Sequence, residues 1–387
     1  MRFSTKAVRA GQEPDKTTGA VVAPIHLATT FQQDVTPDER IQPRSGYEYS
    51  RTDNPTRKAL ETSLAALETG AAGVCFSSGS AATLALIEVL LDRGDHVLLG
   101  EDAYGGTRRL FNFSSQKIGF TLDTVDMTSI AALEQALKEN TRLVFLETPS
   151  NPLLKITDLA RVGQVCQEAN DVLFAVDNTF ATPYLQQPLD LGADIVLHST
   201  TKYLGGHSDV IGGAIVLSHA HRELEEPFRF YQNAAGAVPS PFDCWLTLRG
   251  IRTLVVRMQA HSANARHLAL ELAKESTFHQ VIYPGLASHP QHALARQQMQ
   301  DFGGMISLEF EDKAKAFAFL RNLKLFAIAE SLGAVESLAE HPWSMTHASV
   351  GNSALQKIGI SEGLIRLSVG IEDANDLLED CLQALKN

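Results

Sequence analysis

The chain has 387 residues, more than a single hydrophobic core normally serves, so two domains are expected. Its 44% hydrophobic and 20% charged residues are the composition of an ordinary globular protein. With 33 basic and 45 acidic residues the formal net charge is -12, which argues against nucleic acid or an anionic membrane as the main partner. The amino terminus is too polar for a signal peptide, and no uncharged apolar run approaches the length of a membrane span.

The predicted elements divide the chain into three parts. Residues 1–60 contain several prolines and few periodic apolar runs, which predicts an extended N-terminal arm. In residues 61–245 short apolar strands alternate with helices, which predicts a seven-stranded, mostly parallel α/β sheet. The predicted strands cover residues 73–76, 96–99, 122–125, 143–146, 173–176, 195–197 and 213–217. In residues 246–387, strands at 305–310 and 364–369 and helices at 254–272, 313–323 and 375–385 predict a smaller α+β domain.

Two apolar strands of the predicted sheet end in residues suited to catalysis. One ends in Asp177, and the next ends in hydroxyl residues and Lys202. The carboxyl ends of parallel strands form one edge of the sheet, where ligands bind, so the two side chains are expected to meet there. A lysine that forms a Schiff base and an aspartate that pairs with a pyridinium nitrogen are the protein groups that pyridoxal phosphate (PLP) requires. A surface carboxylate at a strand end is the alternative interpretation of Asp177.

A phosphate site is predicted where the strand at 73–76 passes into a helix. The connecting residues 77–80 read Ser-Ser-Gly-Ser, and the first N–H groups of a helix have no partner within it. Serine and glycine are also common helix caps, so this signal alone is weak. Ser199 and Thr201 offer two further hydroxyl donors, and capping the next helix is their alternative role.

Three other residues are candidates for substrate or cofactor binding. Asn151 ends the strand before Asp177, although asparagine before proline is usually a turn residue. Tyr104 precedes two glycines and could stack on a cofactor ring. Arg366, in an apolar strand, is interpreted either as a fork for a substrate carboxylate or as part of a buried ion pair, with equal weight.

Metal and redox chemistry are disfavoured. The cysteines contain no CxxC pair, which argues against a zinc site or disulfides and favours a reducing cytoplasm: Cys75, Cys166, Cys244 and Cys381. The segment from His289 to His292 has metal-like spacing but lacks a third ligand nearby, so a surface loop is favoured.

Taken together, the chain resembles the cysteine and methionine metabolism branch of the fold-type I PLP enzymes. The similarity runs from Pro24 to the final helix, and its motifs lie at residues 47–51, 54–57, 147–152, 176–179 and 199–203. Within the branch, the stretches 235–241, 281–286, 288–292 and 345–349 are most similar to those of cystathionine γ-lyases.

The resemblance implies a role for each candidate residue. Tyr104 would stack on the cofactor ring, Asp177 would pair with the ring nitrogen and Thr179 would lie under the ring. Lys202 would form the Schiff base with the cofactor. The phosphate would be bound by Gly79, Ser80, Ser199 and Thr201 and, from a neighbouring subunit, by Tyr49 and Arg51. The substrate carboxylate would be held by Asn151, Ser331 and Arg366, with Thr346 orienting Arg366 and the acidic Glu48 and Glu330 near the distal end of the substrate. A homo-oligomer follows, with a tetramer built from dimers as the expected form.

The implied reaction is the α,γ-elimination of L-cystathionine to L-cysteine, 2-oxobutyrate and ammonia, with release of hydrogen sulfide from cysteine as a side activity. The chief alternative is cystathionine γ-synthase, which joins cysteine to an acylated homoserine. A catalytically idle scaffold that binds the cofactor is the alternative from another class. Methionine γ-lyases place a cysteine shortly after the stacking tyrosine, and Gly105, Gly106 and Thr107 stand there instead.

Overall fold

The computed structural model describes residues 1–169, 172–348 and 351–386, so Ser349 of the motif at 345–349 lies outside the described residues. The strands are β1 (Gln33–Val35), β2 (Ile41–Pro43), β3 (Ala72–Phe76), β4 (His96–Gly100), β5 (Thr121–Val125), β6 (Thr141–Glu147), β7 (Leu173–Asp177), β8 (Ile195–Ser199), β9 (Gly213–Leu217), β10 (Phe278–Ile282), β11 (Met305–Phe310), β12 (Ala327–Ile328), β13 (Leu338–Glu340) and β14 (Leu364–Ser368). The helices are α1 (Phe3–Arg9), α2 (Pro55–Leu67), α3 (Gly79–Leu90), α4 (Gly105–Ile118), α5 (Ile130–Ala136), α6 (Leu159–Glu168), α7 (Thr182–Leu185), α8 (Glu225–Ala235), α9 (Pro241–Ile251), α10 (Leu254–Leu272), α11 (His292–Gln298), α12 (Lys313–Asn322), α13 (Asn352–Lys357) and α14 (Ala374–Ala384).

A seven-stranded sheet forms the larger core, in the order β3-β9-β8-β7-β6-β4-β5. Only β9 among these strands runs antiparallel to its neighbours; the other pairs are parallel. The carboxyl ends of β3, β6, β7 and β8 therefore lie on one edge. The predicted α/β class and mostly parallel seven-stranded sheet are confirmed.

Helices cover both faces of this sheet, which explains why its strands read as continuous apolar runs. On one face, α3, α4 and α8 contribute Leu86, Phe111 and Phe228 to a buried cluster with alternate strand residues. On the other face, α6 packs Val162 against Phe174 of β7. Because apolar side chains cover both faces of the sheet, the polar side chains of the central strands lie at the strand ends.

The carboxyl-terminal part contains a five-stranded sheet in the order β10-β11-β14-β13-β12, covered by α10, α12 and α14. The sequence predicts β11 and β14 but not β10, β12 or β13, which are short or partly exposed. The predicted domain boundary at 245/246 falls within α9, and it stays a prediction. In the described part of the chain, none of the helices combines the length and apolar character needed to cross a bilayer.

The first 60 residues are less extended than predicted. They contain α1 and the hairpin of β1 and β2. Ala7 of α1 is buried in one cluster with Leu60 of α2, and the ring of Phe3 lies 5.5 Å from that of Tyr184. The short helix α1 thus packs the start of the chain against its own subunit. Between α1 and α2 most side chains are exposed or only partly buried.

Candidate active site

A cavity of about 730 Å³ lies at the carboxyl ends of β6, β7 and β8. It brings together most of the predicted site residues: Gly79, Ser80, Tyr104, Asn151, Asp177, Thr179, Ser199, Thr201, Lys202, Glu330, Ser331, Thr346 and Arg366. Those residues come from both sheets, so the cavity lies between the larger core and the carboxyl-terminal strands.

Lys202 lies in this cavity, three residues beyond the end of β8. Its Nζ donates a hydrogen bond to Ser331 Oγ at 2.8 Å. Burial, aided by the charge of Arg366, lowers the pKa of Lys202 to about 8. The amine is therefore held in place, and about a tenth of it is neutral at pH 7, far more than for an ordinary lysine, which suits a nucleophile and base.

Two carboxylates, one buried and one partly buried, lie side by side at the same sheet edge. Asp177 ends β7 and is in register with Glu147 of β6. Burial raises the pKa of both groups, and Asp177 raises that of Glu147 further. The backbone N–H of Thr179 donates to Asp177 Oδ1 at 3.0 Å, and that of Tyr104 donates to Glu147 Oε1 at 2.8 Å. A cation placed in the cavity next to Asp177 would offset the cost of its burial.

The start of α3 presents backbone N–H groups at the cavity. Ser78 Oγ accepts the N–H of Ala81 at 3.0 Å, which leaves the first-turn N–H groups of Gly79 and Ser80 without an intrahelical acceptor. A Cβ on Gly79 would lie only 3.0 Å from Ser199 Cβ, so glycine permits this close approach of α3 and β8. Thr201 Oγ1 accepts the N–H of Gly212 at 3.1 Å and lines the same cavity.

Arg366, on β14, is 2% exposed and faces the cavity from the other sheet. Its Nη1 donates to Asn151 Oδ1 at 2.8 Å, and its Nη2 donates to the Ser331 carbonyl at 2.8 Å. Ser331 has a φ of 92°, a left-handed conformation that costs about 1–3 kcal/mol for a residue with a side chain. Ser331 therefore contacts Lys202 through its hydroxyl and Arg366 through its backbone carbonyl.

Sequence reasoning missed Glu340, which is 1% exposed and lies opposite Arg366 in the β13–β14 register. Its Oε2 is 2.9 Å from Arg366 Nη2. Thr346 Oγ1 donates to Glu340 Oε1 at 2.9 Å, so Thr346 contacts the carboxylate that pairs with the arginine. A three-residue strand carries too little periodicity to flag Glu340 in advance. Arg366 is thus part of a buried ion pair and also lines the cavity, and its contact with a substrate carboxylate stays a prediction.

Tyr104 precedes α4 and lies at the rim of the cavity, with its ring 6.3 Å from that of His347 in an edge-on arrangement. Burial, and then the negative charge of Glu330, raises the pKa of its phenol. The hydroxyl is therefore protonated near neutral pH and available as a proton donor. Burial and Arg366 lower the pKa of His347 to about 4, so this neighbouring ring is neutral.

Glu48, Tyr49 and Arg51 do not line the cavity of their own chain. All three are exposed, and Arg51 Nη1 donates to the Asn233 carbonyl at 2.8 Å. This placement is the one that the predicted contact with a neighbouring subunit requires, and that contact stays a prediction.

The donor set in the cavity fits PLP. A partly buried lysine amine, a carboxylate beside a space for a ring nitrogen, and N–H and hydroxyl groups for a phosphate occur together. The described residues contain no cluster of three or more His, Cys, Asp or Glu side chains arranged for a metal ion.

Comparison with known proteins agrees with this chemistry. Residues 4–386 match the family described as Cys/Met metabolism PLP-dependent enzyme. The chain is 50% identical to a cystathionine γ-lyase of Bacillus subtilis over 387 residues, 100% of both chains. It is also 50% identical to a cystathionine β-lyase of Lactococcus lactis over 384 residues, 99% of both chains.

A solved structure is similarly close. Cystathionine γ-synthase from Xanthomonas oryzae, in complex with aminoacrylate and cysteine, superposes with a TM-score of 0.95 at 48% identity, covering 100% of this chain and 98% of that one. The relatives thus carry three different activities at nearly equal identity. What their names share is cystathionine. The chain therefore belongs to the PLP-dependent enzymes of cysteine and methionine metabolism.

Proposed function

We propose that the protein catalyses the α,γ-elimination of L-cystathionine to L-cysteine, 2-oxobutyrate and ammonia. The observation that carries the proposal is the arrangement of Lys202, Ser331 and Arg366 in one cavity. An amine of lowered pKa lies in the same cavity as a guanidinium, so the first would serve as a base and the second would bind an amino-acid carboxylate. The similarity to the Bacillus subtilis γ-lyase over the full length of both chains supports the choice of reaction.

The chain's own residues would position the cofactor and the substrate. When bound, PLP withdraws electrons from the substrate carbon that carries the amino group. Gly79, Ser80, Ser199 and Thr201 would hold its phosphate, Tyr104 would stack on its ring, Thr179 would lie under the ring, and Asp177 would keep the ring nitrogen protonated. Arg366 and Asn151 would bind the substrate carboxylate, and Glu330 would attract the ammonium at the far end of cystathionine.

Two side chains would move the protons of the reaction. The neutral amine of Lys202, held by Ser331, would accept the proton from the substrate Cα. The protonated phenol of Tyr104 or the ammonium form of Lys202 would donate to the departing sulfur. Once Lys202 has passed on the Cα proton, its amine would take a proton from Cβ as the Cγ–S bond breaks. Protonation at Cγ and hydrolysis of the remaining four-carbon imine would then give 2-oxobutyrate and ammonia.

Covalent attachment of the cofactor to Lys202 is expected to depend on pH with a midpoint near 8. Burial disfavours the ammonium form, so the neutral nucleophilic amine predominates above about pH 8 and falls about tenfold per pH unit below it. The measurement is the initial rate of attachment, followed by absorbance, from pH 6 to 10. Free Nα-acetyllysine is the control, since its rate with PLP should keep rising towards pH 10. A protein profile parallel to that of the control would contradict the lowered pKa.

The γ-synthase reaction is the second candidate, because the Xanthomonas oryzae enzyme of that name has the same fold at 48% identity. Arg366, Lys202 and Tyr104 would serve it equally well, since it shares the steps before the sulfur is exchanged. Release of hydrogen sulfide from cysteine is proposed as a side activity of the same site.

We further propose that residues 1–60 act as an arm that completes the site of a neighbouring subunit, with 61–245 as the cofactor domain and 246–387 as the carboxyl-terminal domain. The exposed positions of Glu48, Tyr49 and Arg51, outside their own cavity, support the arm. In the expected tetramer built from dimers, the arm of each chain would have a neighbouring subunit to contact. The four cysteines are buried and unpaired, which accords with a reducing cytoplasmic location.

The deciding experiment is to incubate the PLP-loaded protein with L-cystathionine and to identify the products. We expect 2-oxobutyrate with cysteine. Pyruvate with homocysteine would mean β-elimination, the activity named for the Lactococcus lactis relative, and would overturn the proposed reaction. Absence of product, followed by turnover of an acylated homoserine with cysteine, would assign the protein to the synthases.

A further inference from the structure

Arg57 is a buried arginine with an unusual set of partners. The residue lies in the first turn of α2 and is 1% exposed. Its Nη1 donates to the carbonyl of Ser50 at 2.7 Å, and its Nη2 donates to the carbonyls of Thr52 at 2.9 Å and Arg51 at 3.4 Å. A single guanidinium thus binds three consecutive backbone carbonyls of the chain just before α2.

These contacts fix the backbone of residues 50–52, which we call the presenting loop. Buried carbonyls must be hydrogen-bonded, and here they turn inward onto Arg57. Asn54 secures the other side: its Nδ2 donates to the His26 carbonyl at 2.8 Å and to Ser50 Oγ at 3.0 Å. The charge of Arg57 is balanced by Asp53 and Glu61, each 3.8 Å from the guanidinium.

With its carbonyls turned inward, the presenting loop directs the side chain of Arg51, and that of Tyr49 immediately before the loop, to the surface. Tyr49 is 41% exposed, and the Arg51 guanidinium carbon lies 5.6 Å from the centre of the Tyr49 ring. An aromatic hydroxyl and a guanidinium are thereby displayed together, a pair suited to a phosphate. The cavity of their own chain does not include either side chain.

We propose that Arg57 is a positioning residue for cofactor binding in the neighbouring subunit. It acts through the presenting loop, which fixes the direction of Tyr49 and Arg51, and has no contact of its own with the ligand. The inference rests on the proposed function only in that the arm serves a neighbour; it does not depend on which sulfur substrate is cleaved.

The first test is the variant Arg57→Lys, which keeps the positive charge beside Asp53 and Glu61 but loses the planar fork. We expect the dissociation constant for PLP to rise about tenfold or more, because hydrogen bonds to a charged donor are lost and the loop becomes less ordered. Cofactor binding is measured by absorbance titration of the stripped protein, and folding by thermal denaturation.

Arg229→Met is the matched control. Arg229 Nη1 is 3.0 Å from Glu61 Oε2, so the variant removes a charge partner from the same cluster without touching the presenting loop. We expect this variant to lose stability but to keep its affinity for PLP. If both variants weaken PLP binding equally, Arg57 affects PLP binding only through the stability of the fold, and the proposal is wrong.

Mixed oligomers provide the decisive test. Chains carrying Arg57→Lys and chains carrying Lys202→Ala are co-expressed with different affinity tags, and oligomers that carry both tags are purified. Only the Arg57→Lys chain retains the lysine that attaches PLP, and where a Lys202→Ala chain is its neighbour, that chain supplies an intact presenting loop. We expect part of the cofactor fixed by borohydride on the Arg57→Lys chain to appear at the PLP concentration needed for the wild type, whereas oligomers of Arg57→Lys alone should show none at that concentration. Persistent weak binding, or a protein that is monomeric, would overturn the proposal.

The proposed cleavage of cystathionine is tested separately from the role of Arg57. A wild-type protein that binds PLP but does not cleave cystathionine would overturn the proposed function and leave the result for Arg57 unchanged. If PLP binding recovers in the mixed oligomer but cystathionine yields products other than 2-oxobutyrate and cysteine, the proposed function is likewise overturned and the role of Arg57 stands.

Discussion

Replacement of Lys202 by alanine is expected to abolish covalent cofactor attachment and to lower kcat/KM for cystathionine about a thousandfold or more. Lys202 is the partly buried amine in the cavity, and its pKa of about 8 equips it both to attach the cofactor and to take the substrate proton. The measurements are borohydride reduction followed by mass spectrometry of the chain, and steady-state kinetics on the unreduced protein.

Lys138→Ala serves as the control for this prediction. Lys138 forms an ion pair with Asp123 at 2.6 Å and precedes β6, so it lies at the edge of the sheet away from the cavity. Loss of this side chain should leave both the covalent attachment of PLP and kcat/KM for cystathionine unchanged. A cofactor adduct on another lysine, or activity of Lys202→Ala within tenfold of the wild type, would contradict the assignment.

Replacement of Arg366 by leucine is expected to lower kcat/KM by about a hundredfold to a thousandfold, with most of the change in KM. The guanidinium would bind the substrate carboxylate in the ground state and in the transition state alike, and loss of such uniform binding appears in KM. Covalent attachment of PLP should persist, because Lys202 is unchanged. A normal KM would show that the carboxylate binds elsewhere.

The same substitution should also destabilise the fold, by about 3–5 kcal/mol, because it leaves Glu340 buried without its partner. Adding Glu340→Gln removes the stranded charge, so the double variant should recover most of the free energy of unfolding but none of the substrate affinity. Denaturant titration and kinetics on the single and double variants separate the two effects. Recovery of KM in the double variant would show that Arg366 acts only through stability.

Much of the larger core could be read from the sequence, because its strands are buried on both faces and carry a strong apolar signal. Asp177 and Lys202 were placed together for the same reason: parallel strands bring their carboxyl ends to one edge. The direction of β9 was not predicted, since a short apolar run such as Gly213–Leu217 has no feature that distinguishes a parallel strand from an antiparallel one.

The substrate side of the cavity was less accessible to prediction. Ser331 and Thr346 were assigned from resemblance alone, and neither lies in a periodic element. The ion pair of Glu340 with Arg366 depends on the register of β13 and β14, which lie on opposite sides of a long connection. Such a pairing follows from how the sheet is assembled, and no local pattern around Glu340 encodes it.

The residues that meet in the cavity are far apart along the chain. Arg366 contacts Asn151 across 215 positions, and Lys202 contacts Ser331 across 129. The groups assigned to PLP all precede residue 203, whereas β14 ends only at Ser368. During synthesis the ribosome therefore delivers the residues that we propose to bind the cofactor well before it delivers the arginine that we propose to bind the substrate. A chain interrupted before β14 would carry Lys202 without the guanidinium of Arg366.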